Sequence, residues 1–309
     1  MARIAALFPG QGSQSVGMGA AFLDAAEEAR ELFEEADRAL GFSLSSLCLS
    51  GPLEKLTLTE NAQPAILCVS YICFRLSGIE VCCGAGHSLG EYTALAAAEA
   101  IDFPEALRLV HKRGRYMQEA VPQGQGKMAA VMGPAPEEIQ AVIGKLDAGI
   151  VEIANLNSPG QTVVAGEAKA VDAFCAAMSA AGGKLIPLNV SAPFHCTLMK
   201  PAAESLSKDL DTISFRAPKF PVYANYSASP VASGDEVREA LKKQVCGTVR
   251  WTESVLRLVA DEQVTHCIEF GAGGVLSKLL KRINPAPQRL EVSDPASLAK
   301  TRTALGTAV

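Results

Sequence analysis

Gly86-His87-Ser88-Leu89-Gly90 has the spacing of a nucleophile elbow, in which a strained turn between strand and helix lifts a serine hydroxyl above a sheet. The flanking glycines let the two backbones approach. With Gly and Ser each near ~7% of residues, a chain of this length produces GxSxG by chance about one time in ten. Here the motif follows an apolar run and precedes a helical one, as the elbow requires, and the helix start beyond Ser88 offers N–H groups to a developing oxyanion. An ordinary glycine-lined turn capped by serine is the competing reading. A serine nucleophile needs a base, and the chain has four histidines. His87 adjoins the serine and leaves an extended segment on the opposite side. His111 lies in a basic helical segment that suits a solvated or capping role, and His266 alternates within an apolar strand as a core histidine would. His195, after the turn-prone Ala192-Pro193-Phe194, is the best placed of the four. Cys196 beside it does not point with it, and no Asp or Glu between Ser88 and His195 stands out as the orienting acid, a place that a backbone carbonyl could also fill.

The glycine loops fail as nucleotide sites. Gly10-x-Gly12 and Gly271-x-Gly273 each follow a strand, but the third small residue of a dinucleotide fingerprint falls at Ser15 and Leu276, and no GK[ST] occurs anywhere.

The elements that must position these residues are legible in the hydrophobic pattern. Residues 4–8 read as a strand, 9–19 as a glycine-rich loop, 20–40 and 63–77 as helices, 80–85 as a strand and 91–100 as a helix. Alternating strands and helices predict a parallel sheet covered on both faces. Between 127 and 190 the order becomes βαββαβ, with strands over 127–132, 149–155, 161–165 and 184–190 and helices over 136–146 and 168–181, the split unit of ferredoxin-like folds. Pro122-Gln123-Gly124-Gln125-Gly126 is a hinge into it. Beyond it the pattern resumes with helices over 201–210, 236–244, 252–261 and after 274, and strands over 220–226 and 265–270. The expected architecture is a large α/β domain, residues 1–122 and 191–309, carrying a small ferredoxin-like insert over 123–190.

Composition narrows the function classes. The 309 residues are 49% hydrophobic and 20% charged, as in folded globular chains. The longest apolar stretch, 65–74, is too short for a membrane span, and no secretory leader precedes the first strand, so a cytoplasmic protein is expected. Lys and Arg number 28 against 33 Asp and Glu, a balance of 28 − 33 = −5, with one local basic cluster at 111–115, which argues against nucleic-acid binding. Nine cysteines form no C-x2-C pairs, so reduced core thiols are expected and no metal site, Cys82-Cys83 included.

Five blocks together carry a resemblance: Phe8-Pro9-Gly10-Gln11-Gly12-Ser13-Gln14, Gly86-His87-Ser88-Leu89-Gly90-Glu91-Tyr92, Arg113-Gly114-Arg115-Tyr116-Met117-Gln118, Asn157-Ser158-Pro159-Gly160-Gln161 and Ser191-Ala192-Pro193-Phe194-His195. In type and order the chain resembles the malonyl-CoA:acyl-carrier-protein transacylases, nearly to its end. The resemblance implies a hydrolase-like α/β core with a ferredoxin-like insert, and a ping-pong transfer of malonyl from CoA to the phosphopantetheine thiol of acyl carrier protein. It implies Ser88 as nucleophile, His195 as general base, the N–H groups of Gln11 and Leu89 as oxyanion hole, and the main-chain carbonyl of Gln244 as the histidine's orienting partner. Arg113 would hold the malonate carboxylate, and Phe194 would crowd out an α-methyl group. The segment 244–251 departs from the family's usual sequence in its middle, and Ala272 stands where the family commonly has proline. The resemblance further implies a monomer, no metal, flavin or nicotinamide cofactor, and an acidic carrier steered by residues such as Lys112, Arg115, Lys184 or Lys200. A freestanding polyketide acyltransferase, a serine acyl hydrolase and a non-catalytic carrier-binding protein are the alternatives.

Overall fold

The computed structural model describes residues 2–188, 190 and 192–306. The first strand, β1 (Ile4–Phe8), is buried along its whole length. Ala5 and Leu7 join one apolar cluster and Ile4, Ala6 and Phe8 another, so the strand is covered on both faces and reads as an unbroken apolar run. Next in the chain come β2 (Cys83–Gly86), then β3 (Gly126–Met132), β4 (Val151–Ser158), β5 (Gln161–Glu167) and β6 (Lys184–Pro187). The later strands are β7 (Val222–Ala224), β8 (Ser229–Val231), β9 (His266–Phe270) and β10 (Gln288–Val292).

Two sheets result. The larger is ordered β10-β9-β1-β2-β7-β8, parallel except for β8, which runs antiparallel to β7. The smaller is antiparallel, ordered β4-β5-β3-β6, with the helices Pro136–Ile143 and Ala168–Ala180 packed on one face through Ile139, Val171 and Phe174. This is the βαββαβ arrangement that the pattern predicts. The other face of the small sheet, with Met128, Ala130 and Val163, merges into the core of the larger unit. The outer edge of β4 is closed by Val249, whose N–H donates to Ala154 O at 2.9 Å while its carbonyl accepts from Leu156 N at 2.9 Å. An edge strand is thereby kept from pairing elsewhere.

Several elements differ from expectation for physical reasons. The helix expected over 20–40 is two, Ala20–Ala25 and Glu27–Leu40, broken where Ala26 is extended. Glu27 and Glu28 then occupy a new first turn, where the helix dipole favours acidic residues. The helix expected from 63 begins four residues earlier, as Thr59–Ser77, with Pro64 inside it. A proline cannot donate to the carbonyl four residues before it, and here that carbonyl, Glu60 O, lies 2.8 Å from His111 Nδ1. His111 therefore satisfies a broken helix turn, the capping role open to it. The strands expected over 184–190 and 220–226 are shorter, and β4 runs on through Asn157 to Ser158, so the turn is Pro159-Gly160 alone. Two short or polar strands, β8 and β10, carry too little apolar signal to be read from sequence. Ser191, one residue of the fifth motif block, lies outside the described residues.

Candidate active site

Strand β2 ends at Gly86, and Ser88 begins the helix Leu89–Ala97 with φ 51 and ψ −105, outside the ordinary regions for a non-glycine residue. Neighbouring atoms explain both glycines of the motif. A Cβ on Gly86 would run into the backbone of Gly90, and one on Gly90 into the carbonyls of Phe8 and Pro9. The turn is held from the far side by Asn225, the residue after β7. Its Oδ1 accepts from Ser88 N at 2.6 Å and its Nδ2 donates to Gly86 O at 2.7 Å. Strain of this kind persists only where the surroundings over-determine it.

His195, also at positive φ, places Nε2 2.7 Å from Ser88 Oγ. On its other side Nδ1 lies 3.0 Å from the main-chain carbonyl of Gln244. A carbonyl can only accept, so Nδ1 carries the proton and Nε2 is left to accept one from the serine. Burial, aided by the nearby Arg113 charge, pushes the imidazole down to about 3, with the Gln244 carbonyl opposing the shift, so the ring is neutral near pH 7. No Asp or Glu is needed to set the tautomer.

Arg113 comes from the helix Phe103–Glu119 and is 1% exposed. Its Nη1 donates to Gln63 Oε1 at 2.7 Å, and its Nη2 to Gln244 Oε1 at 3.0 Å and to Ser88 Oγ at 3.1 Å. Its ring partner is Tyr92, 5.3 Å from the guanidinium carbon. Although it belongs to the basic cluster at 111–115, Arg113 is buried and not a solvated surface charge. Ser88, His195, Arg113, Phe194, Gln11 and Leu89 all line one cleft of about 370 Å³. Leu89 N is the first amide of its helix, one of the orphan donors every helix start leaves. Gln11 N makes no hydrogen bond among the described residues, and the Gln11 side chain is tied back to Thr59 Oγ1 at 3.3 Å. Chemically, the cleft joins a serine to a neutral imidazole, two open amide donors and a buried cation, the parts of an acyl-transfer site for an anionic acyl group.

These features agree with what the chain resembles. Residues 6–294 match the acyl transferase domain family. The chain belongs to that family. It is 46% identical over 304 residues to the malonyl CoA-acyl carrier protein transacylase of Bacillus subtilis, covering 96% of each chain, and 44% identical to that of Escherichia coli, covering 97% of this chain and 98% of the relative. Among solved structures it superposes on the acyl carrier protein S-malonyltransferase of Vibrio cholerae with TM-score 0.94 and 40% identity, over 97% of this chain and all of that one. It also matches a malonyl-transacylase solved in complex with a type II PKS acyl-carrier protein, with TM-score 0.95 and 42% identity over 98% and 100% of the two chains.

The remaining histidines of this acyltransferase lie away from the serine proton. His87 Nε2 is 2.8 Å from Asn157 Oδ1, and His266 Nδ1 is 2.8 Å from Thr265 Oγ1. The Cys196 thiol is buried, pushed up to about 12 by desolvation, and donates to Pro193 O, so it offers no thiolate. All nine cysteines are free, the sulfurs of Cys82 and Cys83 lie 3.9 Å apart, and no group of three or more His, Cys, Asp or Glu among the described residues is arranged to hold a metal. Among the described residues no helix is long and apolar enough to cross a membrane. Of the four basic residues expected to steer a partner, Lys112 is paired with Asp209 at 2.5 Å.

Two site residues, Gln63 and Asn225, lie outside every motif block, and a third, Glu91, lies inside one without a role read from it. Gln63, in Glu60-Asn61-Ala62-Gln63-Pro64, and Asn225, in Tyr223-Ala224-Asn225-Tyr226-Ser227, carry no local signal and are brought to the site only by the fold. Glu91 had a visible signal, a carboxylate in the otherwise apolar helix Leu89–Ala97, where burial demands partners.

Proposed function

We propose that this acyltransferase moves malonyl from malonyl-CoA to the phosphopantetheine thiol of acyl carrier protein through an acyl-serine intermediate, in fatty-acid biosynthesis. The observation that carries the reading is the contact of one buried guanidinium, Arg113, with the hydroxyl of Ser88. In malonate the free carboxylate is separated from the acyl carbon by a single methylene. A cation 3.1 Å from the attacking oxygen is therefore within reach of that carboxylate and too close to suit a longer diacid. The names of the relatives, malonyl CoA-acyl carrier protein transacylase, support the same donor and acceptor.

In the first half-reaction His195 Nε2 takes the Ser88 hydroxyl proton as Oγ bonds to the thioester carbon. The carbonyl oxygen becomes an oxyanion between the N–H groups of Gln11 and Leu89, each donor contributing ~3 kcal/mol to the transition state. Collapse breaks the C–S bond, and the His195 proton leaves with the CoA thiolate. Arg113 pairs with the malonyl carboxylate throughout. The carrier thiol then attacks the acyl-serine, giving its proton to His195, which returns it to Ser88. Every bond is exchanged between the two substrates and these side chains, so no metal or redox cofactor enters the reading.

Phe194, 7% exposed on the cleft wall, would press on an α-methyl group and disfavour methylmalonyl. The reading treats residues 1–122 with 191–309 as the catalytic domain and 123–190 as a subdomain that walls the cleft. It further takes the chain as a cytoplasmic monomer. A type II PKS setting remains the second reading, favoured by the structural match to a transacylase bound to such a carrier. Intact mass spectrometry after brief incubation with malonyl-CoA, followed by peptide mapping and addition of carrier protein, tests the proposal. A malonyl adduct on the Ser88 peptide that moves to the carrier is the expected result. No adduct, or one lost to water with the carrier unmodified, overturns donor or acceptor.

A further inference from the structure

Glu91 is 1% exposed on the first turn of the helix that Ser88 begins, in a sequence otherwise built of Leu, Ala, Gly, Tyr and Thr. Burying a carboxylate there costs far more than burying an alanine, so its partners must account for it. One oxygen, Oε2, accepts two hydrogen bonds: Asn225 N at 2.8 Å and Gln244 Nε2 at 2.8 Å. Neither partner is incidental. Asn225 holds the peptide groups on both sides of the elbow, through Ser88 N and Gly86 O. Gln244 does three separate things: its Nε2 also donates to Ser88 O at 2.9 Å, its Oε1 accepts from Arg113 Nη2, and its main-chain carbonyl accepts from His195 Nδ1.

The Gln244 amide shows why an acceptor is required at this spot. Its nitrogen faces Ser88 O and Glu91 Oε2, both acceptors, and that fixes its oxygen toward the Arg113 guanidinium. Without Glu91 Oε2 the amide loses one of the two contacts that define its orientation. A flipped amide would present N–H to a guanidinium N–H, and Arg113 would lose the partner that aims it.

We propose that Glu91 is a positioning residue of this acyl-transfer site, whose single carboxylate oxygen holds Asn225 and Gln244 so that the Ser88 elbow and the Arg113 guanidinium keep their register. The assignment deepens the function proposed above, and its Ser88 arm stands independently of malonyl as donor. Two consequences separate positioning from mere support of the fold. The serine's reactivity and the discrimination set by Arg113 both depend on the same oxygen, so both change when it is withdrawn.

The test uses Glu91→Gln, which keeps an acceptor oxygen at the same reach, and Glu91→Asp, which keeps the charge and withdraws the oxygen by one methylene. Ser88 labelling by a neutral fluorophosphonate reports the elbow without involving Arg113. The ratio of malonyl to acetyl transfer reports Arg113. Glu91→Gln is expected within threefold of the parent in both readouts. Glu91→Asp is expected to label at least tenfold more slowly and to lose at least fivefold in the malonyl-to-acetyl ratio, while its Tm stays within a few degrees. Glu91→Asp with parental labelling and an unchanged ratio overturns the proposal, as does an equal loss for both donors. Should Glu91→Asp not fold, Glu91→Met, which keeps the length and removes the acceptor, takes its place with the same expected losses, parental labelling and ratio in it overturning the proposal, as does Glu91→Gln labelling below a tenth of the parent. A parent that labels at Ser88 yet forms no malonyl adduct would count against the proposed donor and leave the Glu91 labelling comparison standing.

Discussion

The two walls of the cleft are built on different principles. The wall from the larger unit is backed by an interlocked polar set: Ser88, Arg113 and His195 line the cleft, and the buried Asn225, Glu91 and Gln244 join them in one hydrogen-bonded set. The wall from the small sheet is mixed: Met128, Val163 and Leu188 face the same space beside the amides of Asn155, Asn157 and Gln161, none of which joins that set. Reaction geometry tolerates little displacement, so the polar wall is fixed by directional bonds and by backbone strain at Ser88 and His195. Shape tolerates more, so the apolar side chains of the other wall act through volume. Substitutions in the first wall should change rates by orders of magnitude, and substitutions bearing on shape should change which acyl group fits.

Ser88→Ala is the most severe way to break that contrast. It removes the attacking oxygen, and transfer should fall by about 10⁴-fold or more, with no adduct visible in the intact mass. Covalent labelling retained in this variant would move the nucleophile elsewhere. Arg113→Ala comes next. It deletes the buried cation and leaves Gln63 and Gln244 oxygens without their donor, so malonyl transfer should drop by roughly 10²-fold or more. Acetyl transfer, which has no carboxylate to pair, should change far less, and an equal loss for both donors would deny Arg113 that role. A lysine cannot restore the two-point contact, since it presents a point charge rather than a planar fork.

Phe194→Ala sharpens the comparison from the side of shape. Phe194 adjoins His195 in sequence, yet its ring contributes volume and no polar contact. Malonyl transfer should stay within about tenfold, while the preference for malonyl over methylmalonyl falls, because space opens where an α-methyl group would sit. Competition between the two donors measures this directly. An unchanged preference would mean that the α-carbon is crowded by another residue.

What the sequence made legible follows the same division. Residues adjacent in a motif, such as Gly86, Ser88 and Gly90, announce themselves because the turn they make is local and sterically strict. Arg113 and Gln244 were reached only by resemblance, since nothing in a helical Arg or a Gln says that the fold buries it. Asn225 lies 137 residues from the serine whose amide it holds, and Gln63 lies 50 from the arginine it accepts from. Such contacts are fixed by the packing of distant elements, which periodicity does not encode. The polar strand β10 is hidden for a related reason, because pairing with β9 decides it rather than local pattern, and nothing in the local pattern marks the extended Ala26.

The smallest expected effects concern pH, and they belong to the polar wall alone. Burial holds the His195 imidazole at about 3 in the folded chain against 6.5 for the free group. Below 6.5 the unfolded chain binds that proton and the folded chain does not, so this group lowers stability as pH falls from 6.5 toward 3. Glu91 acts in the opposite sense. Burial, opposed by the Asn225 amide, Gln244 and the Arg113 charge, raises it to about 7 against 4.5. The folded chain therefore keeps that proton longer, and stability from Glu91 is present below 4.5 and lost as pH rises through 7. Between 4.5 and 6.5 the two slopes oppose each other. Removing either one should expose the other: relative to the parent, His195→Gln should have the larger Tm at pH 5 minus Tm at pH 7, and Glu91→Gln the smaller. Melting curves at the two pH values check both signs, and a shift in the same direction for both variants would mean that the pair does not titrate as its burial dictates.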